Sequence, residues 1–101
     1  AGPIGNLVAQ TAKGMGAEAV MITDVSEWRL EKAKEGGVDF CVNTKEKDFG
    51  EAMLEAFGPD KADVIYDCAG NAVTMGQAIK NAVVSFWWPC LQKWQILIWR
   101  L

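Results

Sequence analysis

Ala1-Gly2-Pro3-Ile4-Gly5 opens the chain, and Thr23-Asp24-Val25-Ser26-Glu27-Trp28-Arg29 follows about twenty residues later. A glycine fingerprint of the form G-x-G-x-x-G sits between a first strand and a first helix. Its second glycine lets backbone approach a pyrophosphate, and its third lets the helix pack close on the strand. Gly2 and Gly5 fit those two places. The first glycine and the strand before it would then lie upstream of Ala1, so the chain reads as a fragment beginning inside a domain.

Working outward from the loop, short apolar runs alternate with helical patterns. Ile4, Leu7, Val8, Ala12 and Met15 recur at helical spacing, and Gly16 is placed to end that helix. Ala19 to Thr23 reads as a buried strand. Ser26 is placed to cap a second helix, with Glu27 in its first turn and Lys32 and Lys34 near its end, before Gly36-Gly37 stops it. Phe40 to Val42 is the next strand. Phe49, Ala52, Met53, Ala56 and Phe57 mark a third helix face, closed by Gly58-Pro59-Asp60. Val64 to Tyr66 is a further strand, Asp67 to Asn71 the loop after it, and Ala72 to Ala82 a fourth helix with Met75, Ala78, Ile79 and Ala82 on one side.

Strands that are continuously apolar rather than alternating belong to a parallel sheet covered on both faces. The expected fold class is therefore α/β, a partial doubly wound (Rossmann) parallel sheet lacking its first strand. That strand would lie mid-sheet, between Ala19–Thr23 and Val64–Tyr66. Without it the sheet has a hole at its centre, and independent stability is in doubt.

Composition narrows the function classes. The 101 residues suffice for one domain, and half of them are apolar, which argues against disorder. A net charge of -3 lacks the basic face that nucleic-acid binding needs. Cys41, Cys68 and Cys90 are widely spaced, with no C-x-x-C and no histidine in the chain. The expectation is reduced, buried thiols in a cytoplasmic protein, with neither a zinc site in this segment nor a disulfide framework. The longest apolar stretch, near the C-terminus, is broken by Gln92, Lys93 and Gln95 and falls short of the ~20 residues that cross a bilayer.

The glycine loop alone is a weak signal, because Gly-Pro also marks ordinary turns. Asp24 strengthens it. A carboxylate at that strand end accepts hydrogen bonds from both ribose hydroxyls of an adenosine and repels a 2′-phosphate, which favours NAD over NADP. The alternative for Asp24 is a loop acid that merely precedes a helix. Arg29 is placed to clamp the same ribose or stack near the adenine; its alternative is a solvated helix charge. Ile4 sits where a backbone N–H meets phosphate and an apolar side chain meets the cofactor, a role compatible with a core position.

The order A-G-P-I-G, T-D-V-S-E-W-R-L-E-K-A-K, then V-I-Y-D-C-A-G-N resembles the zinc-dependent medium-chain dehydrogenases, in particular the polyol (sorbitol-like), butanediol and threonine dehydrogenases. The resemblance covers residues 1 to about 82. It implies NAD contacts at Gly2, Ile4, Gly5, Asp24 and Arg29, and places Cys68, Ala69 and Gly70 in a turn close to the cofactor; a tight structural turn is the alternative there. It implies hydride transfer between NAD and an alcohol or polyol in a cytoplasmic parent that is a homo-oligomer. It also implies a catalytic zinc held by Cys, His and Glu residues of a separate upstream domain, so that this segment is inactive alone. The competing readings are a zinc-free reductase on the same fold and a non-enzymatic interaction module.

From Val83 onward the resemblance stops, and four of the five tryptophans follow: Trp87, Trp88, Trp94 and Trp99. Tryptophan has the single codon TGG, so part of the neighbouring reading frame is forced. Phe86-Trp87 must give Leu there, Trp87-Trp88 Val, and Trp88-Pro89 and Trp94-Gln95 Ala. Permissive codons elsewhere extend this into a string that resembles the family's fifth strand. The expected organisation is thus a partial dinucleotide-binding domain over residues 1–82 and an aberrant, Trp-rich tail over 83–101 from a shifted frame. A genuine terminus that packs on a partner is the alternative. In the tail, Val83 to Trp88 should return to the sheet, Pro89 should end that strand, and Gln95 to Trp99 should form either a second strand or a loose helix. Several tryptophans should stay exposed.

Overall fold

The computed structural model describes residues 1–59, 61–68, 72–87 and 96–100, with 83–87 and 96–100 described by their backbone. In chain order the elements are α1 (Pro3–Gly14), β1 (Ala19–Asp24), α2 (Glu27–Glu35), β2 (Phe40–Asn43), α3 (Phe49–Phe57), β3 (Ala62–Asp67), α4 (Ala72–Asn81), β4 (Ala82–Trp87) and β5 (Ile96–Arg100). The five strands form one sheet in the order β2-β1-β5-β3-β4. β1 pairs with β2, and β3 with β4, in parallel. β5 lies between β1 and β3 and runs antiparallel to both.

The α/β doubly wound architecture thus holds, with one addition. The central slot, between β1 and β3, is filled by β5. Residues expected to leave a hole are flanked by a complete ladder: Met21 stands opposite Ile98, which stands opposite Ile65 on its other side. Of the two conformations open to Gln95–Trp99, the structure selects a strand, running Ile96–Arg100. The return to the sheet beside β3 runs Ala82–Trp87. Pro89 and the remaining tail positions at 88–95 lie outside the described residues, as do the side chains of Trp87 and Trp99, so the expected exposure of the tryptophans is not described.

β1 shows why the sheet reads as continuously apolar. Val20, Met21, Ile22 and Thr23 are all buried. Val20 and Ile22 enter a cluster with Ala9 and Ala12 of α1 and Leu30 and Ala33 of α2. Met21 points the other way, into Phe49, Ala52, Met53 and Phe57 of α3 with Ile65 and Ala78. Period-two alternation therefore distributes side chains between two cores rather than between core and water. Phe57 also meets Phe40 edge to face, centroids 6.1 Å apart, which ties α3 to the outer strand β2.

Two helices bury only part of the faces their periodicity suggested. α1 buries Gly5, Ala9 and Ala12, while Leu7 is 64% and Met15 84% exposed. The seam against the sheet is made of the smallest residues, which lets the helix axis lie close to β1 and β5. α4 buries Ala78, and Ile79 is 70% exposed. Helix ends follow local chemistry. Gly16 and Gly37 take positive φ, 99° and 91°, the left-handed conformation that returns the chain toward the sheet after α1 and α2. Asp48 caps α3, accepting from the Glu51 amide.

Candidate cofactor site

In an open α/β sheet, ligands bind outside the carboxyl ends of the strands where the winding reverses. β1 carries Asp24 to that end, and α1 starts beside it: the Ala1 nitrogen donates to the Thr23 carbonyl at 3.3 Å and to Asp24 Oδ2 at 3.1 Å. Gly2 is the N-cap of α1, buried and extended at φ -72° and ψ 179°, and Pro3 occupies the first helical position. Any residue adopts the Gly2 backbone, so its conformation does not require a glycine. The first turn of α1 carries no acidic residue. Its unsatisfied amides and positive dipole end are therefore not neutralised by the helix itself, which suits an anion.

The Asp24 carboxylate is locked in place. Oδ1 accepts from the Val25 amide at 2.6 Å and the Ser26 amide at 3.1 Å. Oδ2 faces the Ala1 amine and the Arg29 guanidinium, the latter at 3.8 Å. The side chain is 8% exposed, whereas that of Arg29 is 40% exposed. Charge-assisted bonds from two backbone amides fix one oxygen and orient the other toward the start of α1. Ser26 is the N-cap of α2, yet its hydroxyl makes no capping bond. The serine thus stands at the expected cap position without the expected capping bond. Burial pushes the Ala1 amine down to about 5, against the pull of Asp24 in the opposite direction and with Arg29 adding to the depression.

The structure brings Gly2, Gly5, Asp24 and Arg29 to one end of β1 and the start of α1. Ile4 lies in the first turn of α1 and is 42% exposed, so it is a surface residue there rather than core. Gly5 is buried in the small-residue seam of α1. Cys68 is buried directly after β3; Ala69 and Gly70 lie outside the described residues. Cys41 is half-buried on β2 and its thiol is pushed up by burial. It lines a cavity of about 380 Å³ with Lys34, Phe40 and Ala52, which none of the glycine-loop residues borders.

Three features escaped sequence reasoning. The Thr23 carbonyl accepts from the Ala1 nitrogen. The Val25 and Ser26 amides hold Asp24; an Asp two residues before a Ser carried that signal, as an aspartate that turns back on the next amides. Asp67, assigned to the loop, is the last residue of β3 and is buried. Among the described residues, no helix is long and apolar enough to cross a membrane.

Residues 3–83 match the family described as zinc-binding dehydrogenase. The chain belongs to the zinc-binding dehydrogenase family. An L-threonine 3-dehydrogenase of Saccharopolyspora erythraea is 40% identical over 81 residues, covering 80% of this chain and 24% of that protein. A sorbitol dehydrogenase of Halalkalibacterium halodurans is 42% identical over 80 residues, covering 77% and 23%. An L-threonine 3-dehydrogenase of Vibrio vulnificus is 39% identical over 81 residues. The chain spans about a quarter of the length of these dehydrogenases. The family match ends at residue 83.

Proposed function

We propose that this chain forms the NAD-binding part of a zinc-dependent dehydrogenase acting on an alcohol or polyol, cytoplasmic and homo-oligomeric as a whole. The observation that carries this reading is the Asp24 carboxylate, locked by the Val25 and Ser26 amides at the carboxyl end of β1 beside the N-terminus of α1. The pyrophosphate would lie at the Gly2 to Gly5 turn, and the adenosine ribose on Asp24 with Arg29 beside it. Ile4 would face the cofactor, and Cys68, Ala69 and Gly70 would line its far side. NAD, when bound, supplies the hydride acceptor. The residues of this chain hold it, orient it and exclude a 2′-phosphate by charge. The zinc ligands would come from outside these 101 residues, which contain no histidine, so the chain alone would not complete the reaction.

The test is a titration of NAD and NADP against the dehydrogenase that contains this chain and its Asp24→Ala and Asp24→Ser variants. Both substitutions should weaken NAD by about tenfold or more and tolerate NADP better. An unchanged preference in both variants would sink the assignment. A second reading is a non-enzymatic interaction module whose tryptophan-rich tail docks on another protein. A folded 101-residue chain that does not bind NAD, from a gene encoding no zinc domain, would favour that alternative.

A further inference from the structure

The carboxyl end of β3 holds a buried acid that the cofactor reading does not use. Asp67 is 2% exposed, and the Thr74 hydroxyl donates to its Oδ2 at 3.1 Å. A carboxylate this deep is costly unless its oxygens are hydrogen-bonded. Thr74 lies in the first turn of α4, so the bond ties the end of β3 to the start of the helix that follows it. Cys68, buried, comes directly after Asp67. Asp67 stands opposite Ile96 of β5, and the next residue of β5, Leu97, stands opposite Ile22 of β1. Asp67 and Asp24 therefore stand at the same end of the sheet, on strands one slot apart.

We propose that Asp67 and Thr74 are a positioning pair: their bond sets where the backbone at Cys68 stands relative to the cofactor crevice. The inference rests on the cofactor reading above and adds two residues to it. Neither residue touches the cofactor in this proposal; both act through the backbone that leaves β3 at Cys68. Only a hydroxyl at position 74 is required, so serine should substitute for threonine while the near-isosteric valine should not.

The experiment measures NAD dissociation constants and thermal midpoints for the dehydrogenase containing this chain, with Thr74→Val, Thr74→Ser and, in parallel, Asp24→Ser. Titrations are run at a temperature where every variant is folded. Thr74→Val should weaken NAD by about tenfold, the size expected for losing a hydrogen bond to a charged group, and Thr74→Ser should restore affinity to within about twofold. A lowered midpoint with unchanged NAD affinity makes the pair structural only and overturns the proposal. If Asp24→Ser weakens NAD and Thr74→Val does not, the pair fails while the cofactor reading stands. If neither weakens it, both fail. Should Thr74→Val give no folded protein, Thr74→Ala, which also removes the hydroxyl that donates to Asp67, decides by the same criterion.

Discussion

Asp24 shows how one side chain acquires its orientation from its neighbours. Its position, about twenty residues after the glycine loop, was legible in the sequence. The two amides that lock Oδ1, and the amine at Oδ2, depend on where the chain turns after β1 and where α1 starts. That amine carries a pH prediction for a chain beginning at Ala1. Burial lowers it from an ordinary 8.0 to about 5 in the folded protein. Between those values the unfolded chain binds the extra proton and the folded chain does not, so stability rises with pH across that window. The urea midpoint should climb from pH 5 to pH 8, and acetylating the Ala1 amine should flatten that climb. An equal climb in the acetylated chain would show that other groups cause it.

At the level of elements, periodicity located the helices but not always the face they bury. The apolar stripe of α1 suggested Ile4, Leu7, Val8, Ala12 and Met15 as inward residues; the structure buries Ala12 together with Gly5 and Ala9, packs Val8 against that core and leaves Ile4, Leu7 and Met15 exposed. Hydrophobicity reports what a residue gains by burial, whereas a close helix–sheet contact is decided by size. Enlarging the seam should therefore hurt more than polarising the stripe. Ala9→Leu should cost about 1–3 kcal/mol through overpacking. Leu7→Gln should stay within about 0.5 kcal/mol, as an exposed substitution does. Chemical denaturation of the two variants checks the order; a larger loss for Leu7→Gln would place the packed face where the periodicity first put it. The third glycine of the fingerprint, Gly5, belongs to this same seam, in line with the close packing its position calls for.

Across the whole molecule, β5 is the joint. Without it β2-β1 and β3-β4 are two separate parallel pairs, because β1 and β3 meet only through the strand between them. A two-stranded ribbon is marginal in water. Ile98→Pro removes a backbone donor from the central strand, and a chain ended at Trp87 removes β5 altogether. Both should lose the cooperative unfolding transition, as should a chain ended at Ala82. A soluble, cooperatively folded product from either truncation would show that β5 is dispensable. The proposal that residues 83–101 arose from a shifted frame is tested separately, by sequencing the gene end. A single unambiguous frame through Leu101, together with unfolding on truncation, would make the tail a native part of the sheet.

Sequence alone determined the alternation of elements, the place of the glycine loop and the acid that follows it, because these depend on local spacing and on residue chemistry. It also showed that a parallel sheet of this winding needs a strand between β1 and β3. Which segment fills that slot, and in which direction, was decided only in three dimensions. Backbone donors and acceptors on the facing edges of β1 and β3 must be paired, and an apolar strand of either polarity and any chain position pairs them. In this chain Ile96–Arg100 does so, running antiparallel.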